Sequence, residues 1–241
     1  MGFSWLDGRA TEERPPWGYA GLLSARLGTL AQNPGAAALD IDTGGGEVVD
    51  EARVLPRRMS VTESWPPNAD RARERLGPRG VEVVGTHGAQ RLPFPDRSFD
   101  LVSSRHPVSP DWSEIHRVLK PGGRYLAQHV GPASGFELIE YFLGPHPVER
   151  AARDPHGPDG EIAAAEASGL SVRRLETARC RMQFFDVGAV VWLLRKCVWW
   201  VPDFSVERYA DALRELDAGM RAGRPFTAYS SRHLIEASRL P

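Results

Sequence analysis

A glycine-rich turn between an apolar run and a helix-like segment constrains the fold of this 241-residue chain more than any other feature. The turn lies in the stretch LDIDTGGGE, Leu39 to Glu47, which overlaps the apolar run AAALDI. A short apolar run of this kind predicts a buried strand. Consecutive glycines after it let the backbone approach a ligand closely. The unit is typical of α/β proteins that bind nucleotide-like cofactors at the start of a helix.

Strand-like and helix-like segments continue to alternate as far as residue 130. The predicted strands are AAALDI, Met59 to Glu63, Val81 to Val84, Phe99 to Ser104 and Arg124 to Val130. The predicted helices are Tyr19 to Gln32, Glu47 to Val54, Asn68 to Leu76 and Trp112 to Leu119. This alternation predicts a parallel sheet with helices on both faces.

The pattern changes after residue 131, where we expect an antiparallel end to the sheet. Two strand-like stretches are predicted, Leu170 to Phe184 and Thr227 to Ala237. The helix-like stretches are Phe136 to Leu143, Ile162 to Ala167, Val187 to Val201 and Val206 to Met220. The segment from Arg150 to Gly160, rich in proline, glycine and charge, predicts a loop.

Composition excludes several classes of protein. The net charge of −1 disfavours a nucleic-acid partner, although 30 lysines and arginines leave room for a local basic patch. The two cysteines, Cys180 and Cys197, form neither a metal motif nor a disulfide framework. The apolar stretch Val187 to Val201 is too short to span a bilayer and contains Arg195 and Lys196, so it predicts a buried helix. We therefore expect a cytoplasmic protein with no metal and no membrane segment.

The acidic residues of the turn indicate which cofactor it binds. Its glycines, Gly44 to Gly46, do not fit the GxGxxG spacing of dinucleotide sites. Asp40, Asp42 and Glu47 would repel a pyrophosphate and attract a cation. S-adenosylmethionine carries a sulfonium and an ammonium group, so the charge pattern suits it.

Four stretches together resemble the class I S-adenosylmethionine-dependent methyltransferases. DIDTGGGE is similar to motif I of that family, D-x-G-x-G-x-G, and VTESWPPN to the end of its second strand. LPFPDRSFDLV and EIHRVLKPGGRYLAQ resemble the fourth strand and the fifth-strand signature of its ubiquinone-biosynthesis-like branch. The stretches occur in the family's order, and the resemblance covers residues 36–130 closely and the remainder loosely.

The resemblance implies a fold and a domain organisation. The expected fold is an α/β, Rossmann-like sheet of seven mostly parallel strands in the order 3-2-1-4-5-7-6, with an antiparallel last strand and helices on both faces. Residues 1–241 would form one methyltransferase domain. Residues 1–35 would be an N-terminal lid, 36–130 the cofactor-binding core and 131–241 the substrate-side part.

The resemblance also implies residue roles at the cofactor. Asp40 and Gly44 would flank the methionine part, Glu63 would bind both ribose hydroxyls, and Ala89 and Gln90 would contact adenine. The predicted cofactor-binding residues are Asp40, Asp42, Thr43, Gly44, Gly46, Glu63, Ser64, Gly88, Ala89, Gln90 and Ser104. Gly88 departs from the family pattern, which often has an acidic residue there.

Asp42 is a second departure, because it stands where motif I has its first glycine. Aspartate tolerates turn geometry better than most residues. We therefore hypothesise that Asp42 is compatible with binding and adds negative potential near the cofactor's ammonium group. In the alternative interpretation Asp42 points to solvent or caps the following helix.

Candidates for catalysis and substrate binding lie outside the turn. His106 and His129 could act as general bases near neutral pH, and either could equally be a histidine without chemistry. Arg105 could bind an acidic group of the substrate or pair with a neighbouring acid. Trp192 and Trp199 could form an aromatic wall or pack in the core, and Trp17 and Tyr19 could close the site as a lid. All five are predicted substrate-binding residues.

The expected activity is methyl transfer from S-adenosylmethionine, leaving S-adenosylhomocysteine, to an O, N or C nucleophile of a small molecule. The sequence has no amino-methylating N/D/S-P-P-Y/F/W motif after the fourth strand and no Pro-Cys motif for attack on cytosine. A ribosomal RNA (guanine-N) methyltransferase is the alternative, since HVGPASGFELIEYFLG loosely resembles the end of such enzymes. A non-catalytic cofactor-binding protein is the second alternative.

Overall fold

The computed structural model describes residues 3–86, 91–107, 109–131, 134–145 and 158–241. Contacts divide the chain into two compact units. The motif unit comprises Pro16–Val130, Pro158–Thr177 and His233–Pro241. The second unit comprises Met1–Pro15, Gly131–Gly157 and Ala178–Arg232. The organisation into a lid, a core and a substrate-side part stays a prediction.

The strands belong to one sheet. They are β1 (Ala10–Glu12), β2 (Ala37–Ile41), β3 (Arg58–Glu63), β4 (Glu82–Gly85), β5 (Phe99–Arg105), β6 (Leu119–Val130), β7 (Leu170–Phe184) and β8 (Phe226–Arg239). Their order is β1-β7-β8-β6-β5-β2-β3-β4. From β4 to β7 this is the predicted order, and the fold class is confirmed.

The strand count differs from the prediction of seven. The short strand β1 is an eighth member, and it pairs antiparallel with β7, Ala10 lying opposite Phe184. Part of the segment expected to form a lid is therefore a strand, because it satisfies backbone hydrogen bonds at the sheet edge. The pairs β2–β3, β3–β4, β2–β5 and β5–β6 are parallel. The direction of β8 stays a prediction.

The helices follow the predicted positions, with differences at some of their ends. They are α1 (Tyr19–Leu30), α2 (Glu47–Asp50), α3 (Pro66–Leu76), α4 (Trp112–Val118), α5 (Phe136–Leu143), α6 (Pro158–Ala167), α7 (Val187–Lys196) and α8 (Ala210–Arg221). The largest differences are at the ends of α2 and α7 and at the starts of α6 and α8. Short 3-10 helices span Phe3–Leu6 and Gly77–Arg79. The predicted loop at Arg150 to Gly160 falls largely outside the described residues, and its last three residues belong to α6.

Helix α2 ends at Asp50, four residues before the predicted end at Val54. The guanidinium of Arg79 donates to the carbonyl oxygens of Asp50 at 2.6 Å and Ala52 at 2.5 Å. In a longer helix these carbonyl oxygens would accept hydrogen bonds from backbone amides. The guanidinium of Arg79 takes the place of those amides. Helix α8 begins later than predicted because residues 206–209 form turns, where the amide of Arg208 donates to Ser205 Oγ at 3.1 Å.

The apolar helix α7 stops at Lys196, five residues before its predicted end at Val201. A turn follows, in which the amide of Trp200 donates to the Cys197 carbonyl at 2.9 Å. The turn buries Val201 completely but leaves Val198 and Trp199 each 62% exposed. The prediction that Val198 and Trp199 belong to the buried helix is therefore wrong.

The PGG sequence lies inside β6 and does not precede it. The register between β5 and β6 moves from Phe99 opposite Leu119 to Leu101 opposite Arg124, so the extra residues form an irregularity in the strand. A Cβ at Gly123 would lie 2.8 Å from the Lys120 carbonyl oxygen, which explains the glycine there. The irregularity lets β6 pair with β5 on both sides of the PGG sequence.

Each unit has its own hydrophobic core. In the motif unit, fully buried side chains such as Leu39, Val102 and Leu119 pack with Ile115 of α4 and Ile235 of β8. The core of the second unit joins α5, α7 and α8 through side chains that include Leu138, Val190, Leu194 and Leu213. The motif-unit core holds β2, β5 and β6 together, and these strands carry the candidate site at their carboxyl ends.

The last glycine of the turn is needed for packing between helices. Gly46 has φ +80°, and a Cβ there would lie 2.7 Å from Leu76 Cδ1 of α3. The sequence predicts that Gly46 is one of the glycines that let the backbone approach the cofactor closely. Within the motif unit it also lets the start of α2 approach Leu76, and its role at the cofactor stays a prediction.

Replacing Gly46 by alanine should destabilise the protein more than the same change at Gly80. Both positions have positive φ, but a Cβ at Gly80 meets no atom within 4 Å. We expect Gly80→Ala to cost about 1–2 kcal/mol from backbone conformation alone. Gly46→Ala should cost about 1–3 kcal/mol more, because the methyl group overlaps Leu76. Urea denaturation measures both, and equal losses would contradict the packing role.

Candidate cofactor site

A cavity of about 300 Å³ lies in the motif unit at the carboxyl ends of the parallel strands. Its polar wall comes from residues that end or follow β2, β3, β4 and β5, namely Asp42, Thr62, Ser64, Thr86 and Ser104. Ile41, Leu92 and Ile115 contribute apolar surface. In open α/β sheets this edge is where ligands bind, and the size falls within the range of small-molecule sites.

Asp40 is a buried carboxylate beside this edge. It is 4% exposed, and Ser103, its neighbour across the β2–β5 pair, donates a hydrogen bond of 2.6 Å to Oδ1. Burial raises the pKa of Asp40 to about 6, against the opposing effect of the Ser103 hydrogen bond. The carboxylate is therefore ionised at neutral pH in a poorly solvated place. A cationic ligand would relieve that desolvation.

Thr43 adds an unsatisfied hydroxyl to the same turn. Among the described residues, no side chain or backbone group forms a hydrogen bond of acceptable geometry with its buried Oγ1. The hydroxyl is close enough to Asp40 to help stabilise the ionised carboxylate. Buried polar atoms are normally paired, so an orphaned hydroxyl here fits a site completed by a polar ligand.

Glu63 ties the turn to the end of β3. Its Oε2 accepts from the amide of Gly44 at 2.8 Å, and its Oε1 accepts from the amide of Trp65 at 2.8 Å. The residue is 6% exposed. Each carboxylate oxygen has two acceptor positions, so the side chain can also accept hydroxyl hydrogens of a ligand.

Asp42 adopts the left-handed conformation that the turn requires. Its φ is +54°, and its amide donates to Thr62 Oγ1 at 3.3 Å. The expectation that an aspartate would tolerate the glycine position is thus confirmed. The side chain borders the cavity but is also exposed, as the alternative that it points to solvent expects, and partial desolvation followed by the charge of Glu63 raises its pKa. The N-cap of α2 is Gly46, with no side-chain cap, so Asp42 does not cap that helix.

These groups fit a cofactor that carries a positive charge and hydroxyl groups. Asp40 and Asp42 supply negative charge, Glu63 supplies a fixed acceptor, and the cavity has apolar surface for a flat ring. The predicted adenine contacts, Gly88, Ala89 and Gln90, lie outside the described residues. The individual cofactor roles, including those of Thr43, Gly44, Ser64 and Ser104, stay predictions.

A cluster of hydrogen bonds centred on Arg117 fixes one wall of the cavity. Arg117 of α4 donates to both carboxylate oxygens of Glu114, at 2.6 and 2.7 Å, and to the carbonyls of Leu92 and Phe94. Glu114 in turn accepts from the Leu92 amide at 2.8 Å. The hydrogen bond from Arg117 is the first cause of the lowered pKa of Glu114. The loop that carries Leu92 is therefore held on α4 by charged hydrogen bonds.

Tyr125 is a site residue that the sequence interpretation missed. Its side chain lines the cavity and is 1% exposed, and its hydroxyl lies 2.8 Å from Ser104 Oγ and 3.2 Å from His129 Nε2. Tyr125 and His129 share a face of β6 because strand residues alternate, and that spacing in RYLAQHV was a usable signal. Of the two candidate histidines, the structure connects His129 to the cavity through Tyr125.

His106 has a different environment. It is exposed, has φ +59°, and its Nε2 lies 2.9 Å from the side-chain amide nitrogen of Gln128. Trp17 Nε1 donates to Gln128 Oε1 at 2.8 Å, which assigns the other end of the amide as the donor to His106. The Nε2 lone pair is thus already engaged. A catalytic role for His106 would require this hydrogen bond to open, and the role stays a prediction.

The predicted substrate residues do not share one environment. Trp17 and Tyr19 are buried, and the Tyr19 hydroxyl donates to the carbonyl of Ser104 at 2.9 Å, whereas Arg105 is exposed. Trp192 and Trp199 belong to the second unit. There Trp192 stacks on Trp5 with ring centres 6.5 Å apart. Their substrate roles stay predictions.

Comparison with known proteins now identifies the unit that carries the cavity. Residues 39–127 match the family model described as a methyltransferase domain. The chain carries a methyltransferase domain. The resemblance to class I S-adenosylmethionine-dependent methyltransferases is thereby confirmed.

Two curated relatives of this chain are named as methyltransferases. The demethylmenaquinone methyltransferase of Deinococcus radiodurans is 33% identical over 122 residues, which are 46% of this chain and 50% of the relative. The ubiquinone/menaquinone biosynthesis C-methyltransferase UbiE of Laribacter hongkongensis is 37% identical over 113 residues, covering 42% and 45%. The chain therefore spans about half the length of the curated relatives it matches.

A solved structure resembles a larger share of the chain. The YcgJ protein of Bacillus subtilis superposes with a TM-score of 0.62 at 19% identity, covering 92% of this chain and 98% of that protein. At this identity the similarity shows a shared fold. In the described parts of the chain, no helix is both long and apolar enough to cross a membrane.

Replacing Arg117 by lysine should loosen the cavity wall. Lysine keeps the positive charge but cannot form the two parallel bonds to Glu114 while also reaching two carbonyls. We expect a loss of about 1–3 kcal/mol in unfolding free energy. The matched control is Arg73→Lys, where the arginine pairs with Asp70 at the surface, and it should change stability by about 0.5 kcal/mol or less. Equal effects in chemical denaturation would show that the cluster adds no more than a surface pair.

Proposed function

We propose that this protein is an S-adenosylmethionine-dependent methyltransferase that acts on a small molecule with a reduced quinone ring. The observation that carries the proposal is the group of acidic residues at the ends of β2 and β3, next in sequence to residues that line the cavity, where Asp40 is buried and Glu63 is fixed by two backbone amides. A negative, partly apolar cavity favours a cationic cofactor with a flat ring. The motif order and the methyltransferase-domain match support the same cofactor.

Bound at this edge, S-adenosylmethionine would supply a methyl group whose carbon–sulfur bond breaks as the acceptor's electron pair forms the new bond. Asp40 would hold the ammonium end by charge. Glu63 would accept hydrogen bonds from the ribose hydroxyls while the amides of Gly44 and Trp65 fix its orientation. The protein's contribution is mainly to position the two reactants, which lowers the entropic part of the barrier.

The acceptor is inferred from the relatives. One is named as a demethylmenaquinone methyltransferase and the other as a ubiquinone/menaquinone biosynthesis C-methyltransferase. A reduced quinone ring carries two hydroxyl groups that make its ring carbons electron-rich. Such a carbon is a competent nucleophile towards a sulfonium methyl group.

The affinity for S-adenosylhomocysteine should fall as the pH drops through about 6. Asp40 has a raised pKa of about 6, so below that pH a proton competes with the ligand's ammonium group for the carboxylate. One site with this pKa gives about a tenfold loss between pH 7 and pH 5. Calorimetry measures it. Asp40→Asn should bind weakly and show little change over this range, whereas the surface control Asp70→Asn should follow the wild type. A flat wild-type profile would exclude Asp40 as the ammonium partner.

Methyl transfer is tested with isotopically labelled S-adenosylmethionine and 1,4-dihydroxynaphthalene, a fused-ring hydroquinone, under anaerobic reducing conditions. We expect a methylated ring product by mass spectrometry and none from the oxidised 1,4-naphthoquinone, which lacks the electron-rich carbon. Glu63→Gln should weaken cofactor binding about tenfold or more, because one charged acceptor is lost.

The outcomes separate the candidate functions. A protein that does not bind S-adenosylhomocysteine at millimolar concentration is not a methyltransferase of this kind. Binding without transfer to 1,4-dihydroxynaphthalene would reject the quinone acceptor, and transfer to a 23S ribosomal RNA fragment would then support the RNA alternative. Binding without transfer to either would support the non-catalytic alternative.

A further inference from the structure

A continuous chain of buried hydrogen bonds leads from the cavity into the motif unit. Ser104 and Tyr125 line the cavity, and their hydroxyl oxygens are 2.8 Å apart. The Tyr125 hydroxyl lies 3.2 Å from His129 Nε2. His129 Nδ1 lies 2.9 Å from Glu161 Oε1. The other carboxylate oxygen, Oε2, lies 3.1 Å from His233 Nδ1.

The chain is assembled from parts of the sequence that are far apart. Tyr125 and His129 lie on β6, Glu161 lies on α6 and His233 lies on β8. The side chains of His129 and His233 are each 4% exposed, and that of Glu161 is 15% exposed. Four polar side chains in such a place are costly unless each is hydrogen-bonded, and here they satisfy one another. Apolar residues would fill this space equally well, so packing alone does not explain the four polar side chains.

The charges fix the direction of the hydrogen bonds. Burial alone would raise the pKa of Glu161, but the hydrogen bonds and charges of His129 and His233 lower it to about 2. The carboxylate is therefore ionised and can only accept, so His129 must donate through Nδ1–H. A neutral His129 then has its lone pair on Nε2, directed at the Tyr125 hydroxyl. Burial also raises the pKa of Tyr125, so the hydroxyl keeps its proton until a base removes it.

We propose that Tyr125 is the catalytic hydroxyl of the methyl transfer, and that His129, oriented by Glu161 and His233, accepts its proton. The proposal rests on the proposed function and adds to it the group that deprotonates the acceptor. Tyr125 is the member that faces the cavity. His129, Glu161 and His233 act through it and are positioning residues.

The proton transfer balances as follows. As a ring carbon of the acceptor bonds to the methyl carbon, the carbon–sulfur bond of S-adenosylmethionine would break and the proton of the neighbouring hydroxyl group would pass to Tyr125 Oη. The Tyr125 proton passes at the same time to His129 Nε2, so no free tyrosinate accumulates. Glu161 stabilises the resulting imidazolium through the bond to Nδ1. The ring hydrogen at the methylated carbon is then lost to solvent while the ketone oxygen regains a proton, which restores the aromatic hydroquinone. His129 returns its proton through Tyr125 to solvent after the product leaves, and the site is restored.

The main test compares Tyr125→Phe, His129→Gln and the double variant. Phenylalanine keeps the ring, which packs edge-on against Trp112 at 5.5 Å, and removes only the hydroxyl. Glutamine keeps a hydrogen-bonding side chain but cannot take a proton. Turnover of 1,4-dihydroxynaphthalene and affinity for S-adenosylhomocysteine are measured for each variant.

We expect each single variant to lose about 100-fold in kcat, the usual size of a general-base contribution, while cofactor affinity stays within about twofold. The double variant should be no slower than either single variant, because the two residues act as one unit. Multiplicative losses would overturn the relay. A Tyr125→Phe enzyme with kcat within about twofold of wild type would overturn the catalytic role.

Tyr141→Phe is the matched control in the second unit. The Tyr141 hydroxyl is also hydrogen-bonded, to the Ala212 carbonyl at 3.0 Å and to Glu215 at 3.1 Å, and burial raises its pKa to about 12. Its loss should change stability but leave kcat within about twofold. If Tyr141→Phe lowers kcat as much as Tyr125→Phe, loss of a tyrosine hydroxyl acts through stability and the proposal fails.

A second measurement decides the proposal if a variant does not fold or if no acceptor is methylated. Nitrogen-15 NMR of histidine-labelled wild-type protein reports which ring nitrogen of His129 carries the proton. The relay requires the proton on Nδ1 and a hydrogen-bonded, unprotonated Nε2. The opposite tautomer would overturn the relay whatever the acceptor is, whereas failure to bind S-adenosylhomocysteine would instead reject the proposed function.

Discussion

The fixed carboxylate of Glu63 is the interaction on which the candidate site depends. Its two oxygens hold the amides of Gly44 and Trp65, so the glycine turn after β2 and the chain leaving β3 are tied to one side chain. Backbone amides in a tight turn need acceptors, and a carboxylate provides strong ones. The same carboxylate retains acceptor positions for a ligand. Structural support and binding capacity therefore reside in one group.

Buried charge at this edge has a cost that a ligand can remove. Asp40 loses solvation in the sheet, which is why its pKa rises to about 6, and the Ser103 hydrogen bond offsets only part of the effect. A cation placed beside it would restore a favourable environment. The contrast with Glu161 is informative. That carboxylate is also partly buried, yet two histidines lower its pKa to about 2. One carboxylate is hydrogen-bonded by a serine hydroxyl, and the other by two imidazole rings.

Much of the fold follows from local sequence signals, and the differences have local causes. Apolar runs between breakers identify β2 to β5, because those signals act within a few residues. The end of α2 depends on Arg79, which is distant in sequence, and the end of α7 depends on which valine the second core buries. The strand β1 is three residues long and needs β7 as its partner, so no local pattern reveals it.

The sequence by itself determined the acidic glycine turn, the alternation of strands and helices and the preference for a cationic cofactor, because these depend on residue type and spacing along one segment. The order of the strands in the sheet followed only from the resemblance to the methyltransferase family. Only the tertiary structure decided that Tyr125, His129, Glu161 and His233 form one chain, since these residues come from three separate elements and meet through the pairing and packing of the sheet. It likewise assigned Gly46 to helix packing through its distance to Leu76. Hydrogen bonds and close contacts between distant segments are set by three-dimensional packing, which spacing along the chain does not specify.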